Sequence, residues 1–297
     1  MVAQGDLPAQ GGYAMNAHTS FAHRQPTLLY ATLQREEDPR INRVLHSHSH
    51  VCELVFVNAG EGYYILNGRS SPIYPGDFLL SNQGDLHEVQ SATHREIGTI
   101  CFGIGNLALK GLPPGCLTQA EDGFIRPSGG SREQMKALCR LLYDQLELGT
   151  AQGRTVAQHL FSALLPLALS LPADDRNGAQ TGSVILVNRI GQYIAAHYAE
   201  PLTLERIGEA LKVSPYHAAH VFREITGSSP IQYVIRCRMG EAQNLLISTD
   251  FSAAQIAVMV GYDSASHFSS IFKRVVGLPP VQYRQWYLEM MRGKRGQ

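Results

Sequence analysis

The sequence predicts a two-domain α+β protein, in which an antiparallel β-domain is followed by an all-α domain. The chain has 297 residues, enough for two cores. Short apolar runs separated by Gly, Asn and Pro fill residues 28–126, and apolar residues at helical spacing dominate the chain after them. No apolar run approaches the ~20 residues that a transmembrane helix needs. We therefore expect no membrane segment.

Composition narrows the class of protein further. Hydrophobic residues make up 44% of the chain and charged residues 17%, which excludes a disordered polymer. Residues 1–180 contain 13 Lys and Arg against 17 Asp and Glu, whereas residues 181–297 contain 12 against 8. An acidic half joined to a basic half is typical of a sensor attached to a polyanion binder. The N-terminus lacks a secretory signal and the five cysteines lack CxxC spacing, which predicts a cytoplasmic protein with reduced thiols.

The β-domain is predicted over residues 28–126, after a mobile tail at residues 1–27. One of its apolar runs, residues 63–66, is followed by Asn67-Gly68. Both of these residues tolerate the positive φ that a type I′ hairpin turn requires. Regularly spaced short strands joined by such turns indicate an antiparallel sandwich or a small barrel.

A helical segment is predicted next, over residues 127–171. Its apolar residues recur at helical spacing, beginning with Met135, Leu138, Cys139, Leu142 and Leu146. We expect two helices, at about 132–149 and 155–171. Residues 172–183 contain many helix breakers and no apolar pattern, which predicts a flexible linker.

The region after the linker, residues 184–291, repeats itself at an offset of 50 residues. Residues 214–233 can be laid over residues 264–283, with Ser, His, Phe, Gly, Pro, Gln and Tyr coinciding. Two copies are too few for a solenoid, but they suit a pair of related modules. A short basic tail, residues 292–297, follows.

Each copy has the pattern of a short helix, a turn and a second helix. Ser214 is a natural N-cap with Pro215 at the first helical position, and Ser264 occupies the matching position in the second copy. Gly227 and Gly277 stand where C′ glycines would end the second helices. In helix-turn-helix proteins one helix braces while the next enters the major groove of DNA. Paired helical hairpins are also a common all-α core, so the pattern alone leaves both interpretations open.

Residues 256–284 resemble the signature of the AraC/XylS family of bacterial transcription regulators almost throughout. The resemblance implies a double helix-turn-helix DNA-binding domain in which about residues 229–246 form a rigid spacer helix. The groove-facing residues that it implies are Pro215, Tyr216, Ala219 and His220 in the first module, and Ala265, Ser266, His267 and Ser270 in the second. Family members often carry Arg or Gln at some of these sites, and neither helix does here. We therefore expect weaker direct base readout, with DNA shape contributing.

The basic and aromatic residues of the repeat have separate expected roles. Basic residues that could hold DNA phosphates are Arg223, Arg236, Arg238, Lys273, Arg274 and Arg284, with a solvated helix face as the alternative for each. The aromatic residues at core spacing are expected to be buried rather than to stack on bases, and they are Phe222, Tyr233, Phe268, Phe272 and Tyr283.

A group of histidines precedes the first long apolar run of the β-domain. His46, His48 and Glu53, with His87 about one hairpin later, could hold a divalent metal such as zinc, iron or manganese. Their spacing resembles that of the cupin barrel, although Asn82 stands where cupins usually carry Pro. An organic ligand, or local hydrogen bonding alone, is the alternative role, so no metal ligand is assigned firmly.

The family resemblance implies that a small effector binds in the mouth of a cupin-like sensor barrel. The candidate effector-binding residues are Arg43, His46, His48, Glu53, Tyr63 and His87, a polar set with one aromatic face that would suit a sugar. The stretches 52–57, 63–68 and 75–77 look most like the sugar-responsive members, particularly the rhamnose regulators. No catalytic residue is assigned.

The sequence therefore predicts a cytoplasmic regulator, more specifically an activator, that binds double-stranded DNA. The helices of residues 127–171 are expected to mediate homodimerisation, and the DNA-bound protein is expected to contact RNA polymerase. Two alternatives remain. One is a metal-dependent cupin enzyme with a vestigial helical domain. The other is an effector-independent regulator whose barrel serves only as a dimerisation scaffold.

Overall fold

A computed structural model describes residues 25–35, 44–92, 97–119, 122–174 and 182–293. Most of the predicted N-terminal tail, part of the predicted linker, the candidate Arg43 and most of the basic tail lie outside these ranges. The described strands are β1 (Thr27–Gln34), β2 (Cys52–Ala59), β3 (Gly62–Leu66), β4 (Arg69–Ile73), β5 (Asp77–Ser81), β6 (His87–Ser91), β7 (Gly98–Gly105) and β8 (Ile125–Pro127). The described helices are α1 (Arg132–Glu147), α2 (Ala151–Ser170), α3 (Gly182–His197), α4 (Leu204–Leu211), α5 (Pro215–Thr226), α6 (Pro230–Ser248), α7 (Ala253–Met259), α8 (Ala265–Val276) and α9 (Pro280–Gly293).

The strands form two antiparallel sheets. The larger has the order β1-β7-β2-β5-β8, and the smaller has the order β4-β3-β6. An isolated bridge joins His46 to His87 beside the smaller sheet. The predicted β-rich domain is confirmed, but the described strands do not close into the expected barrel, because none of them pairs with members of both sheets.

The turn between β3 and β4 has the geometry that the sequence predicts. Asn67 has a φ of 50° and Gly68 a φ of 88°, and the flanking Leu66 and Arg69 are paired across the hairpin. The predicted hairpin with two central residues at positive φ is confirmed.

Three layers make up the N-terminal domain. One face of the larger sheet, including Leu54 and Phe102, packs against Cys139 of α1 and Phe161 of α2. Its other face packs against the smaller sheet in a second apolar cluster that includes Val55, Leu79, Tyr64 and Ile73. Strand β2 is therefore buried on both faces, which explains why its sequence is an almost unbroken apolar run.

The C-terminal domain contains two helix-turn-helix modules. Helices α4 and α5 form the first, α7 and α8 form the second, and α6 joins them. The hydroxyls of Ser214 and Ser264 cap α5 and α8, and Gly227 and Gly277 end these helices in the left-handed region. These local predictions are confirmed. The five aromatic residues expected in the core are also buried, which confirms that they are not free to stack on bases.

The cysteines and the helices bear on two further predictions. All five cysteines are free thiols. Cys52 is buried and donates to the carbonyl of Gly115, and burial raises its pKa to about 12, so this thiol stays protonated at neutral pH. Within the described ranges, no helix is long and apolar enough to cross a membrane.

Candidate functional site

The residues predicted to face the DNA groove lie on the outer side of α5 and α8. Tyr216 is 82% exposed, and its ring lies parallel to that of His220 one helical turn later, with 6.3 Å between the centroids. Pro215 and Ala219 are half-buried beside them. The matching residues of α8 are all exposed, and they are Ala265, Ser266, His267 and Ser270. Both helices thus present their N-terminal halves to solvent, where DNA could contact them.

The basic residues of this domain divide into two groups. Arg223, Lys273 and Arg274 are exposed on α5 and α8, as a phosphate contact requires. The other three candidates bond within the protein. Arg284, for example, donates to the carbonyl oxygens of Leu246, Thr249 and Phe251. These carbonyls lie at or just after the C-terminal end of α6, so Arg284 caps this helix.

Arg238 has a similar internal role. Its guanidinium donates to the carbonyls of Tyr198, Glu200 and Gly261 and lies 5.1 Å from the ring centroid of Tyr262. It therefore ties α6 to the loop between α3 and α4 and to the turn of the second module. The sequence alone does not distinguish such an arginine from one that contacts DNA.

A second site lies in the β-domain, where four side chains that can ligate a metal ion converge. The ligating atoms of His46, His48, Glu53 and His87 all lie within 4.8 Å of one another. The Glu53 carboxylate, on β2, contacts Nε2 of His87 at 2.8 Å and Nε2 of His48 at 3.3 Å. The structure thus brings together these four residues, which the sequence analysis had grouped.

The hydrogen bonds of the histidines orient their rings. Nδ1 of His46 lies 3.0 Å from the Val44 carbonyl, and Nδ1 of His87 lies 2.9 Å from the Asp85 carbonyl. A carbonyl oxygen only accepts, so Nδ1 carries the hydrogen in both bonds and Nε2 is the nitrogen that can ligate. Metal-bound histidines in proteins are typically held in this way by their other ring nitrogen.

The carboxylate at the centre of the cluster is ionised. Burial alone would raise the pKa of Glu53, but the hydrogen bonds from His48 and His87 outweigh it and hold this pKa well below its usual range. Tyr30 on β1 donates a further hydrogen bond to the same carboxylate at 2.5 Å. Sequence analysis missed Tyr30 because no motif connects it to the histidines.

These residues fit a divalent cation. They supply three imidazoles and one carboxylate, a ligand set that zinc, iron or manganese accepts. Nε2 of His87 lies 2.8 Å from Oε2 of Glu53, so both atoms are close enough to contact the same cation.

A cavity of about 900 Å³ opens beside the cluster. Tyr30, His46, Glu53 and His87 line it from the β-domain, and side chains of α6 and α8 line it from the helical domain. Its volume falls in the range of small-molecule sites, and its lining mixes apolar and polar groups as such sites do.

Two of the expected effector-binding residues, His48 and Tyr63, do not line this cavity. Tyr63 is 46% exposed on β3, because strand alternation turns its neighbour Tyr64 inward, where the Tyr64 hydroxyl bonds to Ser81 and Leu80. Tyr63 therefore points away from this cavity, and its role in effector binding stays a prediction. His50, two residues after His48, is exposed and lies outside the cluster, and residues 47–51 are not in a strand. The candidate Arg43 lies outside the described residues.

Comparison with known proteins gives matches over both domains. The description "AraC-like ligand binding domain" matches residues 28–169, and "Helix-turn-helix domain" matches residues 207–285. The uncharacterized HTH-type transcriptional regulator YdiP of Escherichia coli is 26% identical over 84% of each chain. The HTH-type transcriptional activator RhaR of Klebsiella pneumoniae is 29% identical, over 82% of this chain and 88% of its own. The crystal structure of ToxT from Vibrio cholerae is 14% identical with a TM-score of 0.43, and covers 88% of this chain and 96% of that chain.

A ligand-binding β-domain attached to two helix-turn-helix modules defines a DNA-binding transcription regulator. The chain belongs to the AraC family of such regulators, which confirms the resemblance seen in the sequence.

Proposed function

We propose that the protein is a transcription activator that binds a polar small molecule, in the class of the sugars, in the cavity beside the histidine cluster. The observation that carries this proposal is the combination of exposed recognition helices with a 900 Å³ cavity that reaches the DNA-binding domain. Two relatives with the name RhaR are described as activators, which supports the sign of regulation.

DNA binding is tested by fluorescence anisotropy with the DNA upstream of the protein's own gene, over a salt series and with competitor DNA. Tight, selective binding whose log K falls linearly with log salt is the expected result, because phosphate contacts release counterions. Binding that is weak and independent of sequence would contradict the proposal.

The exposed basic residues allow a sharper test. We expect Lys273→Ala on α8 to weaken binding to all sequences by a similar factor and to reduce the salt slope by about 1. Lys110→Ala removes an exposed charge from the β-domain and should change neither quantity. An unchanged salt slope for Lys273→Ala would show that this residue does not contact phosphate.

The effector is sought with the same assay. A panel of hexoses and 6-deoxyhexoses, L-rhamnose first, would be screened for a change in DNA affinity and for a thermal shift. An effector-independent regulator would show neither a change in DNA affinity nor a thermal shift with any of these sugars. That outcome would favour the alternative in which the β-domain serves only as a scaffold.

Metal binding by the cluster is tested directly. A bound cation would supply a positive charge for ligand oxygen atoms, and it would be held by His46, His48, Glu53 and His87. We expect one equivalent of Zn²⁺ to bind per chain, measured by calorimetry and by metal analysis after dialysis. Glu53→Gln combined with His87→Ala should abolish this binding, whereas His50→Ala should preserve it because His50 lies outside the cluster. Equal metal content in all three proteins would place the zinc elsewhere.

Homodimerisation and contact with RNA polymerase are part of the same proposal. Apolar side chains are exposed on and between the two helices that cover the larger sheet, namely Leu141, Leu148, Val156 and Leu167. Exposed apolar residues on two adjacent helices suit a subunit interface. Sedimentation of the full chain would measure the dimer.

The enzyme alternative requires a helical domain without function. Both modules instead keep complete N-caps and glycine C-caps, buried cores and exposed recognition residues. A vestigial helical domain is not expected to keep all of these features. The regulator is therefore favoured over the enzyme.

A further inference from the structure

Tyr30 reaches the histidine cluster from another strand, across a position that has no side chain. Strand β7 lies between β1 and β2 in the larger sheet. Its Gly103 is paired with Tyr30 on one side and with Glu53 on the other. Residues that are directly paired in antiparallel strands point to the same face of the sheet, so these three residues form one row. Because the middle residue is glycine, the space between Tyr30 and Glu53 is open to a side chain from either end.

The ring of Tyr30 fills this space above Gly103. A Cβ built on Gly103 would lie 2.3 Å from the ring atoms Cε1 and Cζ of Tyr30. Any other residue at position 103 would therefore displace the tyrosine ring. Glycine inside a strand weakens the strand, and it often marks a place where another group approaches closely. The group that approaches here is the Tyr30 ring, whose hydroxyl ends beside the Glu53 carboxylate.

The two oxygens of the Glu53 carboxylate have different partners. Oε1 accepts the hydrogen bond from the Tyr30 hydroxyl at 2.5 Å, the short end of the range for hydroxyl donors to an ionised oxygen. Oε1 also lies 3.3 Å from Nε2 of His48. Oε2 lies 2.8 Å from Nε2 of His87. The hydroxyl hydrogen of Tyr30 is therefore directed at Oε1 and not at Oε2.

This difference between the oxygens decides how the carboxylate would hold a cation. A carboxylate can bind a metal ion through one oxygen or through both. The hydroxyl hydrogen of Tyr30 carries a partial positive charge, so it repels a cation that approaches Oε1. Oε2 receives no hydrogen bond from Tyr30, and it is the oxygen next to the His87 ring. Ligation through Oε2 alone is therefore favoured.

The number of ligand atoms then suits zinc. One oxygen from Glu53 and one nitrogen from each of His46, His48 and His87 make four ligand atoms. Zinc in proteins is typically four-coordinate, with nitrogen, sulfur and oxygen ligands. Manganese favours octahedral sites that are rich in oxygen, and a carboxylate bound through both oxygens comes closer to such a site. A hydroxyl that limits Glu53 to one oxygen therefore favours zinc over manganese.

We propose that Tyr30 is a positioning residue of the metal site, which holds Glu53 to ligation through one oxygen and so makes the site selective for zinc over manganese. This role rests on the metal binding that is part of the proposed function. It adds a residue outside the set of ligands, and it names the metal that the site prefers. Gly103 contributes indirectly, because it lets the Tyr30 ring lie across β7.

Tyr30→Phe in the full chain is the principal test, because it removes the hydroxyl and keeps the ring above Gly103. Competition with a metal chelator should show that this variant binds Zn²⁺ about 10-fold more weakly or worse, since partners of metal ligands contribute about 10–100-fold to affinity. The affinity for Mn²⁺ should fall less, so the ratio of the two affinities should narrow. Tyr63→Phe removes the hydroxyl of an exposed tyrosine on β3, and this matched control should change neither affinity.

Cobalt provides a readout that a loss of stability alone would not change. Co²⁺ with four ligands absorbs visible light strongly, because a tetrahedral site has no centre of symmetry, whereas Co²⁺ with six ligands absorbs weakly. The wild type should therefore have an intense visible spectrum for each bound Co²⁺. In Tyr30→Phe the intensity should fall, because both oxygens of Glu53 can then approach the metal.

Gly103→Ala tests the same contact without altering Tyr30 or Glu53. The added methyl group should push the Tyr30 ring aside and reproduce the Zn²⁺ and Co²⁺ results of Tyr30→Phe. The double variant should bind Zn²⁺ no more weakly than Tyr30→Phe alone, because both changes remove the same hydrogen bond. Thermal unfolding of the metal-free proteins shows whether each variant is folded, and Tyr30→Phe decides if Gly103→Ala is not.

Three results would contradict different statements. Equal Zn²⁺ affinity and equal Co²⁺ spectra in the wild type and Tyr30→Phe would overturn the role of Tyr30. Equal losses of Zn²⁺ and Mn²⁺ affinity, with an unchanged Co²⁺ spectrum, would overturn the restriction of Glu53 to one oxygen. A wild type that binds none of these metals would contradict the metal binding in the proposed function and the role of Tyr30 with it, whereas the DNA-binding results would stand.

Discussion

Replacement of Phe222 with alanine is expected to lower the free energy of unfolding by about 3–5 kcal/mol, the range for removing an aromatic side chain from a core. Phe222 is fully buried in the first module. Its ring packs edge-on against that of Tyr233, with 5.3 Å between the centroids, and its cluster includes Ile207 of the bracing helix. Alanine would leave a cavity between the recognition helix and the helices that support it.

The measurement is urea denaturation of the full chain, followed by circular dichroism, with Tyr216→Ala as the control on the same helix. Tyr216 is exposed, so its removal should change stability by no more than about 0.5 kcal/mol. Tyr216→Ala should instead weaken binding to the upstream DNA about 10-fold, or ~1.4 kcal/mol. If Phe222→Ala lost DNA affinity but unfolded like the wild type, the assignment of Phe222 to the core would be wrong.

The parts of the fold that the sequence predicts well are those determined by local chemistry. Ser214 caps α5 because its hydroxyl can reach the N–H of His217, only three positions further along the chain. Asn67-Gly68 forms a tight turn because both residues accept a positive φ. Such features follow from a few neighbouring residues, and a resemblance to a known family adds the arrangement of the modules.

Boundaries and side-chain directions are less predictable. Helix α2 begins at Ala151, before the expected start at residue 155, because the Thr150 hydroxyl accepts from the N–H of Gly153. Tyr63 and Tyr64 are adjacent aromatic residues, and only the register of β3 decides which one faces the interior. A shift of one residue would exchange them, and composition carries no information about that shift.

Contacts between the domains could not be predicted at all. Val44 and Gln243 are bonded across 199 residues of sequence, and Arg236 and Glu88 across 148. No periodicity or motif relates such positions, because they depend on how two completed domains pack. An arginine on a helix of a DNA-binding domain is interpreted from sequence as a phosphate contact, and here its partner is a buried carboxylate in the β-domain.

Replacement of Arg236 with methionine is expected to destabilise the protein by about 3 kcal/mol, the lower end of the cost of removing one partner from a buried ion pair. The lower end applies because the Arg236 side chain is 25% exposed, whereas that of Glu88 is 5% exposed. Methionine keeps much of the arginine stem, so the loss reports the charge and not the packing. The carboxyl of Glu88 would remain buried without its cation.

The double variant Arg236→Met with Glu88→Gln separates the ion pair from the burial of a single charge. Glutamine removes the charge that lost its partner, so the double variant should recover most of the stability lost in Arg236→Met, a coupling of at least 1 kcal/mol in the cycle. Differential scanning calorimetry of the full chain measures the stability of Arg236→Met, of Glu88→Gln and of the double variant. Arg223→Met is the control, because it removes an exposed arginine. Additive effects of the two changes would mean that Arg236 and Glu88 contribute independently. The ion pair between the helical domain and the β-domain would then add nothing to the stability of the protein.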